Sequence, residues 1–311
     1  MRPLGPPQGS DAPRVRLDAY LAAEYPFYSR AAWQSKIRCG HLLISGRQVR
    51  PGYRLKVGDR LEMYSPRQKE PEVSKDLYPL WKQGEIMAVY KPSNLPMHEN
   101  GPYRKNTFAH LVKEIIGPDW AAVHRLDRET SGIVLCSRCP ELRKDLAMAL
   151  ADRDVEKEYL AICMGEPQHD DFTEKGPIGD LVESKIRIKK WVVPDGLPAE
   201  TRFSFIDRRG GYSLVRARPK TGRTNQIRIH AAYNGLPLVG DKLYHPDESI
   251  FEEYFENRGN TDRVVEATGF HRLCLHAAMI QFRSPVTGES CRVDCPMPDE
   301  LKNFWDSLSV S

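Results

Sequence analysis

Residues 65–79, SPRQKEPEVSKDLYP, set the first limit on what this chain can fold into. They carry Pro66, Pro71 and Pro79 among charged side chains and show no apolar periodicity. Proline at that density fixes φ and removes backbone donors, which denies the segment a helix interior or a central strand. The segment reads as a linker over residues 66–80, and 311 residues are enough for a domain on each side of it. The opening MRPLGPPQGSDAP, residues 1–13, is rich in Pro and Gly and reads as a disordered tail. That leaves a small module at 14–65 and a larger domain at 81–311.

The two parts differ in charge. The small module holds ten basic and four acidic side chains, a net of +6, which leaves −2 for the rest of a chain whose formal net charge is +4. A basic module beside a nearly neutral domain fits a protein that holds a polyanion, although a solvated basic surface has the same composition. Within the module, Leu17, Tyr20 and Leu21 have helical spacing before a stop at Pro26. Ser29 caps a second helix that ends at Gly40, a strand covers Leu42 to Ile44, and Ser45-Gly46 makes a tight turn. Two more short strands are expected around Gly58-Asp59. The stretches RLDAYLA, SRAAWQSKIRCGHLLISGRQV and VGDRLEM resemble the S4-like RNA-binding domain. That resemblance implies a basic face on structured RNA, formed here by Arg30, Lys36, Arg38 and Arg47.

The larger domain opens on EIMAVYKPSNLPMH, where Ile86 to Val89 read as a buried strand ended by Lys91-Pro92. Strand-length apolar runs (GIVLCS, KEYLAIC, YSLVRARP, LHAAMIQFR) then alternate with helical stretches (ELRKDLAMALADRD, TNQIRIHAAYNG). Without regular βαβ spacing, this mixture predicts an α+β domain with mixed or antiparallel pairing. Residues 245–269 are acidic and irregular and read as a surface insertion, part helix. No apolar run reaches the length of a membrane span and no signal peptide is visible, so a cytoplasmic protein is expected. Seven cysteines fit reduced thiols. Cys136 and Cys139, with Cys291 and Cys295, could in principle supply zinc ligands, but Cys136 ends an apolar run and reads as a buried strand residue, so no metal is expected.

HRLDRETSG, residues 124–132, carries the chemistry. A solvated charge run is one explanation. The other is a carboxylate, Asp127, kept ionised for reaction by nearby guanidinium groups. Arg125 and Arg128 are adjacent in sequence, and GRTNQIRIH supplies Arg223 and Arg228 about a hundred residues later. No P-loop, GxGxxG or GxSxG elbow is present, and no acid cluster suggests a metal-dependent nuclease.

HRLDRETSG, followed by KEYLA (157–161), TGRTNQIRIHAAYNGLPLVGDKLY (221–244) and LCLHAAMIQFRSP (273–285), resembles the RluA family of pseudouridine synthases over nearly all of residues 81–300. The resemblance implies an RNA isomerase that needs no cofactor. It detaches uracil from its ribose carbon, turns it and rejoins it through carbon 5. Asp127 matches the catalytic aspartate, which either adds to the base or assists departure at the sugar. Tyr159 matches a tyrosine that stacks on the target base, Arg228 the basic partner of the aspartate, and Leu275 an aliphatic residue beside the base. Arg125 fits the role of filling the gap left by a flipped uridine, with a plain phosphate contact as the alternative. Asn225 departs from the family, which usually has His there, and so loses a titratable ring. Large-subunit ribosomal RNA is the favoured substrate, transfer RNA the runner-up. A catalytically silent RNA-binding protein is the competing reading, and a monomer is expected.

Overall fold

The computed structural model describes residues 15–25, 28–63, 70–152 and 154–309. The expected disordered tail and the Pro26 stop lie outside them. The chain divides into two compact units, residues 1–69 and 70–311.

In the first unit, helix α1 (Leu17–Glu24) and helix α2 (Arg30–Arg38) are followed by strands β1 (Leu42–Ile44), β2 (Arg47–Gln48) and β3 (Leu61–Met63), in the antiparallel order β2-β1-β3. Ser29 Oγ accepts from Ala32 N, the N-cap expected from the sequence. Ser45 and Gly46 both take positive φ, 47° and 75°, as a two-residue hairpin turn demands. Of the two strands expected around Gly58-Asp59, only β3 forms. The segment before it makes a single bridge, Arg54 to Arg16, because Arg50 to Tyr53 close a turn instead. Leu17, Leu21, Trp33, Ile37, Leu42, Ile44, Leu55 and Leu61 form its core.

The second unit starts earlier than the sequence suggested. Glu70 accepts backbone N–H groups of Lys105 and Asn106, Leu77 is buried, and strand β4 (Tyr78–Gln83) already belongs to the main sheet. Residues 70–80 are therefore part of this unit and not linker. Pro79 is tolerated within β4 because β4 is an edge strand. The remaining elements are β5 (Ile86–Lys91), α3 (Phe108–Leu111, continued by a π-helical turn to Ile116), β6 (Ala121–Ala122), β7 (Ser131–Ser137), α4 (Pro140–Ala151), β8 (Glu156–Met164), β9 (Asp171–Glu174), β10 (Ile178–Asp180), β11 (Lys190–Val192), β12 (Thr201–Arg209), β13 (Tyr212–Pro219), α5 (Gln226–Tyr233), α6 (Ser249–Glu256), α7 (Asp262–Thr268), β14 (Leu275–Arg283), β15 (Ser290–Asp294) and α8 (Asp299–Ser307). The insertion at 245–269 is thus largely the helices α6 and α7.

The main sheet runs β4-β5-β7-β14-β8-β13-β12-β9, with β15 on β14 and β6 on β7. Every pairing is antiparallel except β7 with β14, which makes this an α+β fold with a mixed sheet. The continuous apolar runs arise because the central strands are buried on both faces. Met87, Val89, Val134 and Cys136 face one core cluster, while Ile86, Ala88, Ile133 and Leu135 face another. Cys136 is thus a core side chain, its thiol pushed up to about 12 by burial. The parallel pair matters for function. It places the segments entering β7 and β14 at the same end of the sheet, beside Tyr159 of β8. No helix among the described residues is long and apolar enough to cross a membrane.

Candidate active site

The loop before β7 is fixed from below. His124 and Leu126 turn inward: His124 Nε2 accepts Leu135 N at 3.0 Å, and Leu126 joins the core. Burial, helped by the charge of Lys157, lowers the His124 pKa to about 4, so the ring is neutral and structural. Arg125 and Asp127 alternate with them and line a cleft of about 500 Å³. Lys91, fully buried at the end of β5, donates to the carbonyls of Pro92, Arg128 and Thr130 at 3.0, 3.0 and 2.8 Å. Burial pulls its pKa to about 7, while three carbonyls match the three donors of the charged amine. Thr130 N closes a turn on Asp127 O at 3.2 Å. Gly132 then takes φ +119°, and a Cβ there would sit 2.3 Å from Ala277 O; only glycine lets β7 approach β14.

The cations of the motif do not act together. Arg128 turns away from Asp127 and pairs with Glu129, 2.9 Å away, and with the Tyr254 hydroxyl. Burial works against the charge of Glu129, but Lys242 and Arg128 hold its pKa down at about 2. Arg125 is exposed at the cleft and has no side-chain partner among the described residues.

The cation facing Asp127 comes from α5. Arg228 Nη1 lies 3.6 Å from Asp127 Oδ2, an ion-pair distance too long for a hydrogen bond. Its guanidinium is held from behind by Asp241, which accepts Nε and Nη2 at 2.7 Å each. Asp241 is itself buried and accepts the N–H groups of Leu243 and Tyr244 at 3.0 Å, an Asx turn that fixes the carboxylate. Burial disfavours the Arg228 charge, yet Asp241 and Asp127 together hold its pKa above the ordinary value. The guanidinium carbon sits 5.0 Å over the Tyr244 ring. Asn225, left-handed at φ 57°, accepts Arg228 Nη1 at 3.1 Å and donates to the Tyr244 hydroxyl at 3.1 Å. Asn225 therefore serves as an orienting group in a chain from Tyr244 to Arg228. Gln226 pins the cleft wall by accepting Thr221 Oγ1 and Arg223 N and donating to Glu200 O and Thr201 Oγ1.

Tyr159 and Leu275 complete the cleft from neighbouring strands. Burial and the Asp127 charge raise the Tyr159 phenol above its ordinary pKa, which keeps it protonated and able to donate. Thr130 also lines the cleft, and its Oγ1 is the one buried side-chain oxygen or nitrogen among the described residues without a partner. Asp127, Tyr159, Arg228, Leu275 and Arg125 are thus brought to one cleft. Sequence reasoning missed Asp241, Lys91 and Lys157, and it read Thr130 only as part of the turn that presents Asp127. Asp241 stood within LPLVGDKLY, where a glycine followed by an acid was the only signal.

The four basic residues expected on the small unit are not equivalent. Arg30 is committed to buried Asp18, with Nε 3.1 Å from Oδ2, and Asp18 is also held by Arg16 and Gln34. This departs from a free basic face at that position: a buried carboxylate needs its donors. Lys36 lies over the Tyr28 ring at 4.4 Å, while the side chains of Arg38 and Arg47 are exposed and have no partner among the described residues.

A model of the RNA pseudouridylate synthase family matches residues 85–233. The chain is 31% identical over 305 residues to the ribosomal large subunit pseudouridine synthase D of Xanthomonas campestris pv. campestris, covering 94% of this chain and 88% of that one. It is 30% identical over 315 residues to the ribosomal large subunit pseudouridine synthase C of Escherichia coli K12, covering 96% and 94%. Among solved structures, human RNA pseudouridylate synthase domain containing 1 shares the fold at a TM-score of 0.59 and 21% identity, over 78% of this chain and 91% of that one.

Proposed function

The chain belongs to the RluA-type family of RNA pseudouridine synthases and is an isomerase; from that premise we propose that Asp127 is its catalytic carboxylate and large-subunit ribosomal RNA its substrate. The observation that carries the first part is the Asp127–Arg228 pair in the cleft, 3.6 Å apart, with Arg228 anchored by Asp241. The reaction breaks the bond from uracil N1 to ribose C1′, makes one from C5 to the same carbon, and moves a proton from C5 to N1. It conserves atoms and redox state, so a carboxylate oxygen as nucleophile or electrostatic partner is what the chemistry needs. Asp127 is the carboxylate oxygen donor on the cleft wall, and it can act on the base or at the sugar carbon. Its long contact to Arg228 leaves its oxygens free for substrate while the positive charge stays fixed.

Tyr159 offers a ring for the base and a protonated hydroxyl beside Asp127. Leu275 supplies the opposing apolar contact. Arg125, without a side-chain partner among the described residues, is read as the group that enters the space an extruded uridine leaves, or as a phosphate contact. The small unit is read as an S4-like RNA-binding domain in which Lys36, Arg38 and Arg47 meet phosphates and Arg30 supports the fold. The substrate reading rests on relatives named for the large ribosomal subunit.

Pseudouridine mapping on total RNA from cells with and without this protein tests both parts. Discrete sites in large-subunit ribosomal RNA should vanish without the protein, return with the intact chain, and stay absent with Asp127→Asn. Sites in transfer RNA instead would overturn the substrate; restoration by Asp127→Asn would overturn the carboxylate.

A further inference from the structure

Five basic side chains line the cleft: Arg125, Lys157, Lys220, Arg223 and Arg228. Three are engaged. Arg228 is held by Asp241, Lys220 Nζ lies 2.8 Å from Glu200 Oε1, and Arg223 Nε donates to Pro198 O at 3.0 Å. Arg125 and Lys157 have no side-chain partner among the described residues. Their settings differ. Arg125 is exposed, whereas Lys157 is partly buried on β8. Burial lowers the Lys157 pKa, so its charge is held at a cost that no carboxylate among the described residues offsets by pairing with it. The sequence neighbours do not serve it. Strand alternation sends Glu156 and Glu158 to the opposite face, where Glu158 accepts from Arg216 and Arg218.

Lys157 and Tyr159 share one face of β8, two residues and about 7 Å apart along the strand. That span is comparable to the separation between a pyrimidine ring and the phosphates on either side of its own nucleotide. RNA offers anions only as phosphates, and a compact ammonium is a suitable partner for one. Resting on the reading of the cleft as a uridine site, we propose that Lys157 binds a phosphate flanking the target uridine and fixes the nucleotide backbone while the base lies beside Tyr159. An unpaired, partly desolvated cation is then a binding group kept vacant for its ligand. Arg125, by contrast, is free to move with the RNA.

The test uses Lys157→Met, which keeps the stem and removes the charge. On RNA from cells lacking the protein, KM should rise about tenfold, equivalent to ~1.4 kcal/mol, with kcat near that of the wild type. The slope of log KM against log salt should shrink by about one. Lys157→Arg should restore most of the loss. Thermal stability should hold or rise, because the variant removes an unpaired charge, and this separates binding from folding. A synthetic RNA spanning a mapped site then carries a neutral methylphosphonate on the 5′ or the 3′ side of the target uridine. One of the two should cost the wild type the same factor and cost Lys157→Met nothing further. An unchanged KM, or further losses in the variant at both linkages equal to those of the wild type, would overturn the proposal. A wild-type protein inactive on unmodified RNA would instead overturn the reading of the cleft itself.

Discussion

Asp241→Asn isolates the interaction that aims Arg228 at Asp127. In the native protein, Asp241 accepts two guanidinium N–H groups at 2.7 Å and two backbone N–H groups at 3.0 Å. Both partners are largely shielded, with side-chain exposures of 0% for Asp241 and 14% for Arg228. Asparagine keeps an oxygen for the turn but points an amide or a single oxygen at a two-pronged cation. The guanidinium is left with Asn225 Oδ1 and the more distant Asp127. Removing one partner of a buried pair costs about 3–5 kcal/mol, which shifts the unfolding midpoint by roughly 6–20 °C in a unit of this size. Asp241→Ala should cost about 1–3 kcal/mol more, since Leu243 N and Tyr244 N lose their acceptor as well. Thermal and urea unfolding followed by circular dichroism measure both. Turnover on unmodified RNA should fall in Asp241→Asn mainly through kcat, because the cation facing Asp127 is no longer fixed. A cost below about 1 kcal/mol, the range of exposed ion pairs, with normal turnover would refute the argument that this pair is a buried anchor.

Gly240→Ala should fail to accumulate as folded protein, measured as the soluble fraction and its circular dichroism. Its φ is +76° and a Cβ would lie 1.8 Å from the Arg272 carbonyl oxygen. On acidification, the buried histidines set the first loss of stability. His276 and His124 both have pKa values lowered to about 4 by burial, so the fold favours their neutral forms. Their contribution is complete above about pH 6.5 and is lost as pH falls toward 4, by up to ~3 kcal/mol each; a urea midpoint flat between pH 7 and 4.5 would contradict this. Replacing Lys36, Arg38 and Arg47 together with alanine should weaken RNA binding and lower its salt slope by about one per lost phosphate contact. Arg30→Ala should chiefly lower stability, since Asp18 loses a donor; unfolding and binding measured on the same preparations separate the two effects.

Strands buried on both faces were legible because a two-sided core leaves a continuous apolar run, as in Ile86–Val89 and Gly132–Cys136. The N-cap at Ser29 and the hairpin at Ser45-Gly46 were legible because a side-chain oxygen and a positive φ are local demands. The boundary between the units was not, since the polar sequence around Leu77 conceals one buried leucine and an edge strand that tolerates proline. What fixes that segment is distant: Glu70 meets Lys105 and Asn106, and Tyr78 pairs with Tyr90. The parallel pairing of β7 with β14 was equally hidden. Its requirement is written in Gly132, but the partner backbone that needs the missing Cβ lies at Ala277.

The same distinction explains the charges of HRLDRETSG. Sequence proximity puts Arg125 and Arg128 beside Asp127, while the family resemblance pairs it with Arg228, and alternation along the loop separates the directions of the two local cations. Arg128 is drawn to Glu129 and Tyr254, Arg125 is left free, and the cation for Asp127 arrives from α5 about a hundred residues away. A local cation would move with the loop that carries the carboxylate. A cation on α5, locked by Asp241 and oriented by Asn225, is instead fixed to a different part of the sheet. The Asp127–Arg228 distance is therefore set by the packing of β7, β14, β8 and β13 and not by the loop alone. Substitutions that disturb this packing at Gly132 or Asp241 should then impair turnover without touching any atom of the substrate. Those at Arg125 or Lys157, whose side chains have no partner among the described residues, should lower kcat/KM through KM while stability is preserved. Measuring both quantities across the four positions separates the side chains that build the cleft from those that await RNA.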